Sequence, residues 1–445
     1  MPDSMQSLDP MKSEGVLEAH KGAIYRRVTR RLMPFLMLCY VVAYLDRINI
    51  GFAKSSMELD LGFSDAVYGL GAGLFFIAYF FFEVPSNMLM HRIGARATIS
   101  RIMILWGIVS GCTALVTQEW QFYLLRLLLG AAEAGFYPGI LLLLTYWFPA
   151  QRRAKAVAFF VIAIPLSGVL GGPVSGLVIG STHTLLNLAN WQWLFIIEAI
   201  PSIVLGVIAY YYLDNRPREA KWLTDAEAGV IEADLRADAD KAGSVSGKTV
   251  TSFLGTFRNK WVALLSLLVL CQALGIYGLS FWLPTLVTGV GITGPIAIGL
   301  FSAIPFGLAI VSIVLTGRNS DRLTERRWHL VVPFTVAAVG LTLSALLTGR
   351  PVLGIVAISL AAIGCYTTTS QVWTVVPAFM TGVGAAAGIA VVNSIGNLGG
   401  FLAPYFVGAT SSATGSPAVG LIGIAGTLLL GAALTLVLPR DRVNR

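Results

Sequence analysis

The chain has 445 residues, of which 56% are hydrophobic and only 12% are charged, and its mean hydropathy is +0.75. Soluble domains carry about 25% charged residues, so this composition excludes a soluble enzyme or binding module and indicates a membrane protein with many spans. The net charge of +8 does not indicate a nucleic-acid partner, because the basic residues follow the pattern expected of membrane topology.

In chain order, the sequence begins with a polar and basic tail at residues 1–31. This tail lacks an apolar core ending in a small-residue cleavage site, so we expect no cleavable signal peptide and a cytoplasmic N-terminus. Its last part, Lys21 to Arg31, is expected to form a helix at the headgroup surface. A later polar segment at residues 214–259 contains Thr224 and Glu227 at the spacing of a capping box.

Twelve apolar runs have the length of about 20 residues that a membrane-spanning helix needs. They fall at residues 32–53, 69–90, 97–116, 120–147, 154–180, 191–213, 260–287, 296–316, 329–348, 351–377, 382–409 and 417–439. The expected fold is therefore an all-α membrane protein with twelve transmembrane helices. They form two six-helix bundles at residues 32–213 and 260–439, joined by a linker at 214–259 and followed by a tail at 440–445.

Positive charge is distributed unevenly between the segments that join these spans. With the N-terminus inside and an even number of spans, the segments expected in the cytoplasm hold 27 of the 31 lysine and arginine residues. This positive-inside pattern predicts cytoplasmic termini and a multi-pass protein of the bacterial inner membrane, with the lipid bilayer as its partner and no nucleic acid. All four cysteines fall in apolar runs, so neither a disulfide framework nor a metal site is expected.

The first and fourth spans carry charged residues inside apolar sequence. Asp46 and Arg47 are adjacent in the first span, and Arg126 and Glu133 are seven residues apart in the fourth, which places the latter two on one helical face. Each such charge costs about 2.5–3.5 kcal/mol on insertion scales unless it is paired or hydrated. From the rise per residue, Asp46 and Arg126 should lie at similar depth, and Glu133 about 10 Å deeper toward the cytoplasm.

These four residues are the predicted working site, in which each carboxylate has an arginine within reach. An acid that titrates when its arginine leaves it for a substrate anion would provide a proton path. The alternative is a pair of static ion pairs that hold the two spans together. For Glu83 and Glu198, which lie closer to span ends, we expect a hydrogen-bonded structural role.

The last six spans carry no acidic or basic residue in their interiors. They offer neutral polar and aromatic groups instead, namely Gln272, Tyr277, Thr367 to Gln371, Trp373, Asn393 and Asn397. We therefore expect ionisation in the first half of the chain and neutral hydrogen bonding in the second.

The two halves also resemble each other in sequence. Pro149-Ala150 and Gly171-Gly172 recur 228 residues later as Pro377-Ala378 and Gly399-Gly400, and Arg92 and Arg96 recur at an offset of 230 as Arg322 and Arg326. Such a parallel duplication predicts a transporter whose substrate site lies between the halves near the membrane midplane.

Five motifs carry a family resemblance: Y-L-D-R-x-N-I-G-F-A (44–53), E-V-P-S-N (83–87), R-x-x-x-G-x-x-E-A-G-F-Y-P (126–138), G-G-P-x-S-G (171–176) and N-W-Q-W-L-F (190–195). Together they resemble the anion:cation symporter family of the major facilitator superfamily, over essentially all twelve spans. The resemblance implies uptake of a small organic anion with protons as coupling ion, no other cofactor and a monomer. It implies that Asp46 and Glu133 bind protons, with Arg47 and Arg126 as partners, and that Arg47 also holds the substrate carboxylate. The other implied substrate contacts are Tyr44, Tyr79, Ser370, Trp373 and Asn393.

The sequence departs from the family pattern at two places. The superfamily loop motif is present at Gly317 to Arg322, but after the second span its acidic position holds His91; gating is therefore expected from Arg92, Arg96, Asp321 and Arg322, with emphasis on the second copy. Ile164 stands where the galactonate-type branch has a glutamine, and Val372 replaces a polar residue. Because substrate hydroxyls would then go unpaired, an aromatic acid or short dicarboxylate is favoured, as in carriers of phthalate, 4-hydroxyphenylacetate or tartrate.

Two alternatives to a proton-coupled importer remain open. A proton antiporter or exporter of organic anions is suggested by the partial resemblance of Gly168 to Pro173 to the glycine-proline motif of antiporters, and a galactonate-type sugar-acid symporter by the shared motifs. An enzyme is not expected, because the spans contain no His, Cys and carboxylate cluster and no Gly-rich phosphate loop.

Overall fold

The computed structural model describes residues 10–181, 185–243, 259–379 and 385–444, and these residues contain helices and no β-strand. The first nine residues of the predicted tail, residues 244–258 of the predicted linker, residues 382–384 of the eleventh predicted span and Arg445 lie outside the described part of the chain, as does the side chain of His91.

Sixteen α-helices are described, numbered here in chain order. The N-terminal half contains α1 (Pro10–Leu61), α2 (Asp65–Ile93), α3 (Ala95–Cys112), α4 (Glu119–Glu133), α5 (Phe136–Trp147), α6 (Ala150–Val161), α7 (Ala163–Ser181) and α8 (Asn190–Tyr212). The linker holds α9 (Asp225–Gly243). The C-terminal half contains α10 (Lys260–Gly289), α11 (Pro295–Leu323), α12 (Trp328–Leu346), α13 (Pro351–Phe379), α14 (Ala385–Thr414), α15 (Ala418–Val437) and α16 (Arg440–Val443).

Twelve helical stretches in the described residues are long and apolar enough to cross a membrane, which confirms the predicted number of spans. Helices satisfy every backbone donor and acceptor internally, which is what hydrocarbon requires. Two of the twelve spans are each made of two helices: α4 and α5 form the fourth span, and α6 and α7 form the fifth.

The linker helix α9 attaches to the first turns of α1. The predicted capping box is present, since the Thr224 N–H donates to the Glu227 carboxylate at 2.9 Å and the Glu227 N–H donates to the Thr224 hydroxyl at 3.3 Å. The bond from the Thr224 backbone lowers the pKa of Glu227 below its usual value. Ion pairs of Arg27 with Glu227 and of Lys21 with Asp234, the latter at 2.7 Å, hold α9 against α1.

The first turns of α1, the linker and the C-terminal tail lie at one end of the bundles, because an even number of spans separates them. We call this the near end; the opposite end, where residues 62–64 join α1 to α2, is the far end. At the near end, the Tyr212 hydroxyl donates to the Arg31 carbonyl at 2.9 Å, and the Arg326 N–H donates to the Asn444 side chain at 2.9 Å.

The two bundles pack against each other in the far half of the molecule. Helices α2 and α14, α7 and α11, and α1 and α10 are the contacting pairs. Their backbones approach closely at glycine, since a Cβ added to Gly172 would lie 2.6 Å from the Gly299 carbonyl oxygen, and one added to Gly400 would overlap Phe76. Gly172 and Gly400 belong to the two glycine pairs of the sequence repeat, so the repeat marks equivalent places in the two interfaces.

Toward the near end the bundles separate. The far half of α2 is buried against α14, whereas Phe81, Val84 and Met88 in its near half are 67%, 65% and 60% exposed. The described contacts between bundles lie in the far half, including the bond from the Tyr68 hydroxyl to the Phe281 carbonyl at 2.7 Å. The structure is therefore closed at the far end and open at the near end.

Gly299→Val should keep the far end from closing, because its side chain would overlap the backbone of Gly172 on α7. Helix axes in contact are 8–10 Å apart depending on the side chains, so we expect α7 and α11 to separate by about 2 Å at this contact. Electron paramagnetic resonance between spin labels on Leu115 and Val352, at the far ends of the two bundles, would show a longer distance.

Gly307→Val is the matched control, because it lies on the same helix with nothing within 4 Å of an added Cβ. An unchanged label distance in Gly299→Val would show that this glycine contact does not set the closure of the far end.

Candidate functional site

An ion pair between Arg47 of α1 and Glu133 of α4 lies inside the N-terminal bundle. The two residues are 8% and 3% exposed. The aromatic rings of four residues surround the arginine, with centroids 4.9 to 6.0 Å from its Cζ atom: Tyr44, Phe75, Tyr79 and Phe76. The guanidinium therefore has one carboxylate partner and several ring faces, which also attract a cation.

A break in the fourth span positions Glu133. Helix α4 ends at Glu133, Gly135 follows with φ of 91°, and α5 begins at Phe136. The left-handed conformation of Gly135 breaks the helix, and Pro138, which has no N–H to give to the carbonyl of Ala134, removes a helical hydrogen bond at the same point. A Cβ on Gly135 would overlap Ser86 of α2. The G-F-Y-P part of the motif thus ends the helix where the carboxylate meets Arg47.

Asp46 points away from Arg47 into the space between α1, α3 and α8. It accepts hydrogen bonds from Trp106 Nε1 at 2.9 Å, from Ser110 Oγ at 3.3 Å and from Ser202 Oγ. No arginine pairs with it among the described residues, which differs from the predicted arrangement. The reason is geometric: neighbouring residues on a helix point about 100° apart, so adjacency in sequence sends Asp46 and Arg47 to different neighbours.

Arg126 is buried without a direct carboxylate partner among the described residues, which also departs from the prediction. Its Nε donates to the Gly71 carbonyl at 3.2 Å, while Nη2 has no hydrogen-bond partner. Its Cζ atom lies 5.3 Å from the Phe75 ring centroid, and Arg47 lies 5.1 Å from the same ring. Both guanidinium groups thus contact the Phe75 ring, and Arg126 acts on Glu133 through space.

The C-terminal bundle contributes Tyr277 of α10 to this site. Its ring centroid lies 4.5 Å from that of Phe76, one of the rings around Arg47, and it is close enough to Tyr44 and Arg47 to act on them electrostatically. From the sequence, Tyr277 was one of several neutral groups in this half, and nothing placed it at the site. The signal in the sequence that could have pointed to Tyr277 as a site residue was an aromatic ring with a hydroxyl group in a span that carries no charge.

The other predicted substrate contacts lie on two helices of the C-terminal bundle. Ser370 and Trp373 are half-buried on α13, and Asn393 is half-buried on α14. The recorded partners of Arg47 do not include these three residues. The structure therefore brings together Tyr44, Arg47, Tyr79 and Glu133, and the substrate contacts on the C-terminal bundle stay predictions.

The predicted gating residues lie at the near end and make no described contact across the bundles. Arg92 and Arg322 are exposed, and Asp321 pairs at 4.0 Å with Arg326 of its own bundle. The Arg96 backbone N–H donates to Asn215 at 3.0 Å and its guanidinium lies 4.4 Å from the Tyr210 ring. This matches a structure in which the near end is open.

A buried lysine that was not predicted as a functional residue closes the far end. Lys54, which is buried, pairs with Glu58 at 2.7 Å and Asp65 at 2.5 Å and lies 5.0 Å from the Trp282 ring of α10. Asp65 also accepts a hydrogen bond from Ser411 of α14. The cluster joins both bundles. Over the part of the chain that the structure describes, no group of three or more His, Cys, Asp or Glu residues could hold a metal ion.

Comparison with known proteins identifies the family to which this sequence is similar. The sequence profile of the Major Facilitator Superfamily matches residues 36–404. A provisionally named tartrate transporter of Agrobacterium vitis is 45% identical over 95% of this chain and 92% of its own. The provisionally named metabolite transport protein NicT of Pseudomonas putida is 43% identical over 95% and 96%. A quinolone resistance transporter of Acinetobacter baumannii is 39% identical over 93% and 94%.

Among solved structures, a bacterial homologue of the human lysosomal transporter Spinster, in an inward-facing and occupied conformation, superposes with a TM-score of 0.73. It is 19% identical in sequence, and the match covers 91% of this chain and 96% of that one. This similarity shows that the two chains share a fold.

Gly135→Ala should destabilise the protein, because a residue with a Cβ costs about 1–2 kcal/mol in the left-handed conformation and would also overlap Ser86. We expect a lower unfolding temperature for the purified protein in detergent. Gly139→Ala is the control: Gly139 lies within α5, and its added Cβ would lie 3.1 Å from the flexible Met90 side chain. Equal unfolding temperatures for the two variants would contradict a required break after Glu133.

Proposed function

The chain belongs to the major facilitator superfamily, and we propose that this membrane transporter imports a small organic carboxylate together with protons. It is a multi-pass protein of the bacterial inner membrane. One observation carries the proposal: a buried arginine, Arg47, whose single carboxylate partner among the described residues is Glu133, lies inside the N-terminal bundle of a structure that is open at the near end.

A substrate carboxylate would compete with Glu133 for Arg47. The planar guanidinium offers a carboxylate two parallel hydrogen bonds, so an organic anion that enters can replace Glu133. Glu133 would then be ionised and buried without a partner, which costs several kcal/mol in a low-dielectric site. Binding a proton removes that cost. Substrate and proton therefore bind together, and their joint release at the other end would give symport.

The walls of the site indicate the class of substrate. Rings of Tyr44 and Tyr79 face Arg47, the Tyr277 ring packs on that of Phe76, and Ile164 of α7, predicted to line the site, is half-buried. We propose a short dicarboxylate of the tartrate type or an aromatic acid, because such a surface accepts a compact skeleton and leaves many hydroxyls unpaired. The relative that is 45% identical and provisionally named a tartrate transporter supports the first of these.

A second candidate function is export of organic anions by exchange for protons. It is favoured by the relative named a quinolone resistance transporter, at 39% identity. Proteoliposomes separate the two. An imposed proton gradient that drives accumulation of tartrate or an aromatic acid on the side to which protons flow supports import, whereas movement of a quinolone against the proton flow supports export.

Glu133→Gln should uncouple substrate movement from protons, because an amide keeps an acceptor for Arg47 but cannot bind and release a proton. A gradient of one pH unit stores about 1.4 kcal/mol per proton, which is about tenfold accumulation for one proton per substrate. We expect accumulation to disappear in the variant, while exchange of labelled for unlabelled substrate continues. Uptake into proteoliposomes measures both.

Glu83→Gln is the control for this experiment, since Glu83 is a half-buried carboxyl of α2 that does not pair with Arg47. It should accumulate substrate as the wild type does. Tenfold accumulation by Glu133→Gln would show that the coupling proton binds at a residue other than Glu133.

Ile164→Gln tests the class of substrate. An amide buried against the site without a partner costs about 1–3 kcal/mol, so affinity for tartrate and for an aromatic acid should fall by about five- to 150-fold. A six-carbon sugar acid should lose less, because its hydroxyls can meet the amide. Competition of the three acids for uptake measures this, with Ile164→Leu as the apolar control. A wild-type preference for the sugar acid would instead support the galactonate-type alternative.

A further inference from the structure

A second carboxyl group, Glu198, lies deep in the N-terminal bundle and has no part in the mechanism above. It lies on α8, is 3% exposed and stands eight residues, about 12 Å, from the far-end start of that helix. The sequence suggested that Glu198 lies near a span end and has a structural role. In the structure it is among the least accessible charged residues.

Among the residues that the structure describes, Glu198 has hydrogen-bond donors around it and no cation paired with it. Ser175 of α7 donates to Oε1 at 2.7 Å, while Oε2 has no hydrogen-bond partner. The fully buried Asn49 of α1 lies close enough to interact with the carboxyl but makes no full hydrogen bond. A buried carboxylate without a cation is costly unless it binds a proton, so the site suits a group that is protonated for part of a cycle.

Few charged groups lie near Glu198 on the elements that pack against it. On the adjoining part of α1 they are Asp46, which acts on Glu198 through space, and Arg47, which is paired with Glu133. Helix α7 carries no titratable residue. On α3 they are Arg96 and Arg101, and since Gly111 lies beside Ala199, Arg101 is ten residues, about 15 Å, toward the near end.

Ser202 connects Glu198 to Asp46. It follows Glu198 by four residues on α8, so the two side chains share a face and lie about 6 Å apart along the helix axis. The Ser202 hydroxyl donates to Asp46 Oδ2. A hydroxyl is both a donor and an acceptor. Ser202 and Glu198 are not hydrogen-bonded in this structure, but a rotation of the Glu198 side chain that brings its unpartnered Oε2 to Ser202 would let Ser202 take a proton from Glu198 as it passes its own to Asp46. Because α8 runs from the far end to the near end, Glu198 lies on the far side of Asp46.

We propose that Glu198 is a proton-binding site in addition to Glu133. During transport it passes its proton through the Ser202 hydroxyl to Asp46, the other acid that the family resemblance implies binds protons. Asp46 becomes neutral, Glu198 becomes ionised and the proton count is unchanged. The hydrogen bond from Ser175 stabilises the ionised form, and a proton from the far end restores Glu198. The relay stays inside the N-terminal bundle, so protons reach Asp46 while the bundle interface is closed. This inference rests on the proposed proton coupling.

The test compares wild type, Glu198→Gln, Ser202→Ala and Ser202→Thr in proteoliposomes. Glu198→Gln and Ser202→Ala should slow proton-driven uptake by about a hundredfold, at the lower end of what a positioned proton-transfer group contributes. Both should keep the wild-type rate of exchange of labelled for unlabelled substrate, in which no net proton moves. Ser202→Thr keeps the hydroxyl and should retain uptake and its pH profile.

The outcomes distinguish failure of the proposed proton coupling from failure of the proposed relay. If the wild type shows no proton-driven accumulation, the proposed coupling itself fails. If the wild type accumulates substrate and either Glu198→Gln or Ser202→Ala does so at the same rate and with the same pH profile, the relay is wrong. Exchange activity shows whether a variant is folded. If Glu198→Gln lacks exchange activity, the relay is tested by Ser202→Ala, with Ser202→Thr as the variant that should restore proton-driven uptake.

Discussion

The buried ion pair between Arg47 and Glu133 is the interaction on which the rest of the molecule depends. A charge alone in this layer costs about 2.5–3.5 kcal/mol on insertion scales, so each partner requires the other or a substitute of the same charge. Rings from α1 and α2 cover the guanidinium, and the break after Glu133 delivers the carboxylate to it. A substrate carboxylate is such a substitute for Glu133, which is why a proton must accompany it.

Access to this pair is decided by contacts that lie well away from it. At the far end, glycine backbones in α7 and α11 touch, and Lys54 joins both bundles through Asp65 and the Trp282 ring. At the near end, the predicted gating residues have partners only within their own bundles in the described contacts. Opening the far end must break the Lys54 cluster and the glycine contacts together. These contacts can therefore keep the far end closed while the near end is open.

The sequence predicted the twelve spans and the bundle halves because hydrocarbon imposes length and apolarity on every span. It also identified the residues of the ion pair, since intramembrane charges are rare. It did not predict which carboxylate Arg47 takes. Asp46 is the neighbour in sequence, yet helix geometry turns it toward Trp106, Ser110 and Ser202. Those donors are ordinary residues of apolar spans, and only tertiary packing brings them to the carboxylate.

The central claim is that a substrate anion takes Arg47 from Glu133 and that a proton then binds. Titration calorimetry of the purified protein with tartrate or an aromatic acid, repeated at neutral pH in buffers of different ionisation enthalpy, counts the protons taken up on binding. We expect about one proton to be taken up for each substrate that binds. We expect no such proton uptake in Glu133→Gln. Binding with the same apparent enthalpy in every buffer would mean that no proton accompanies the substrate, and would contradict the central claim.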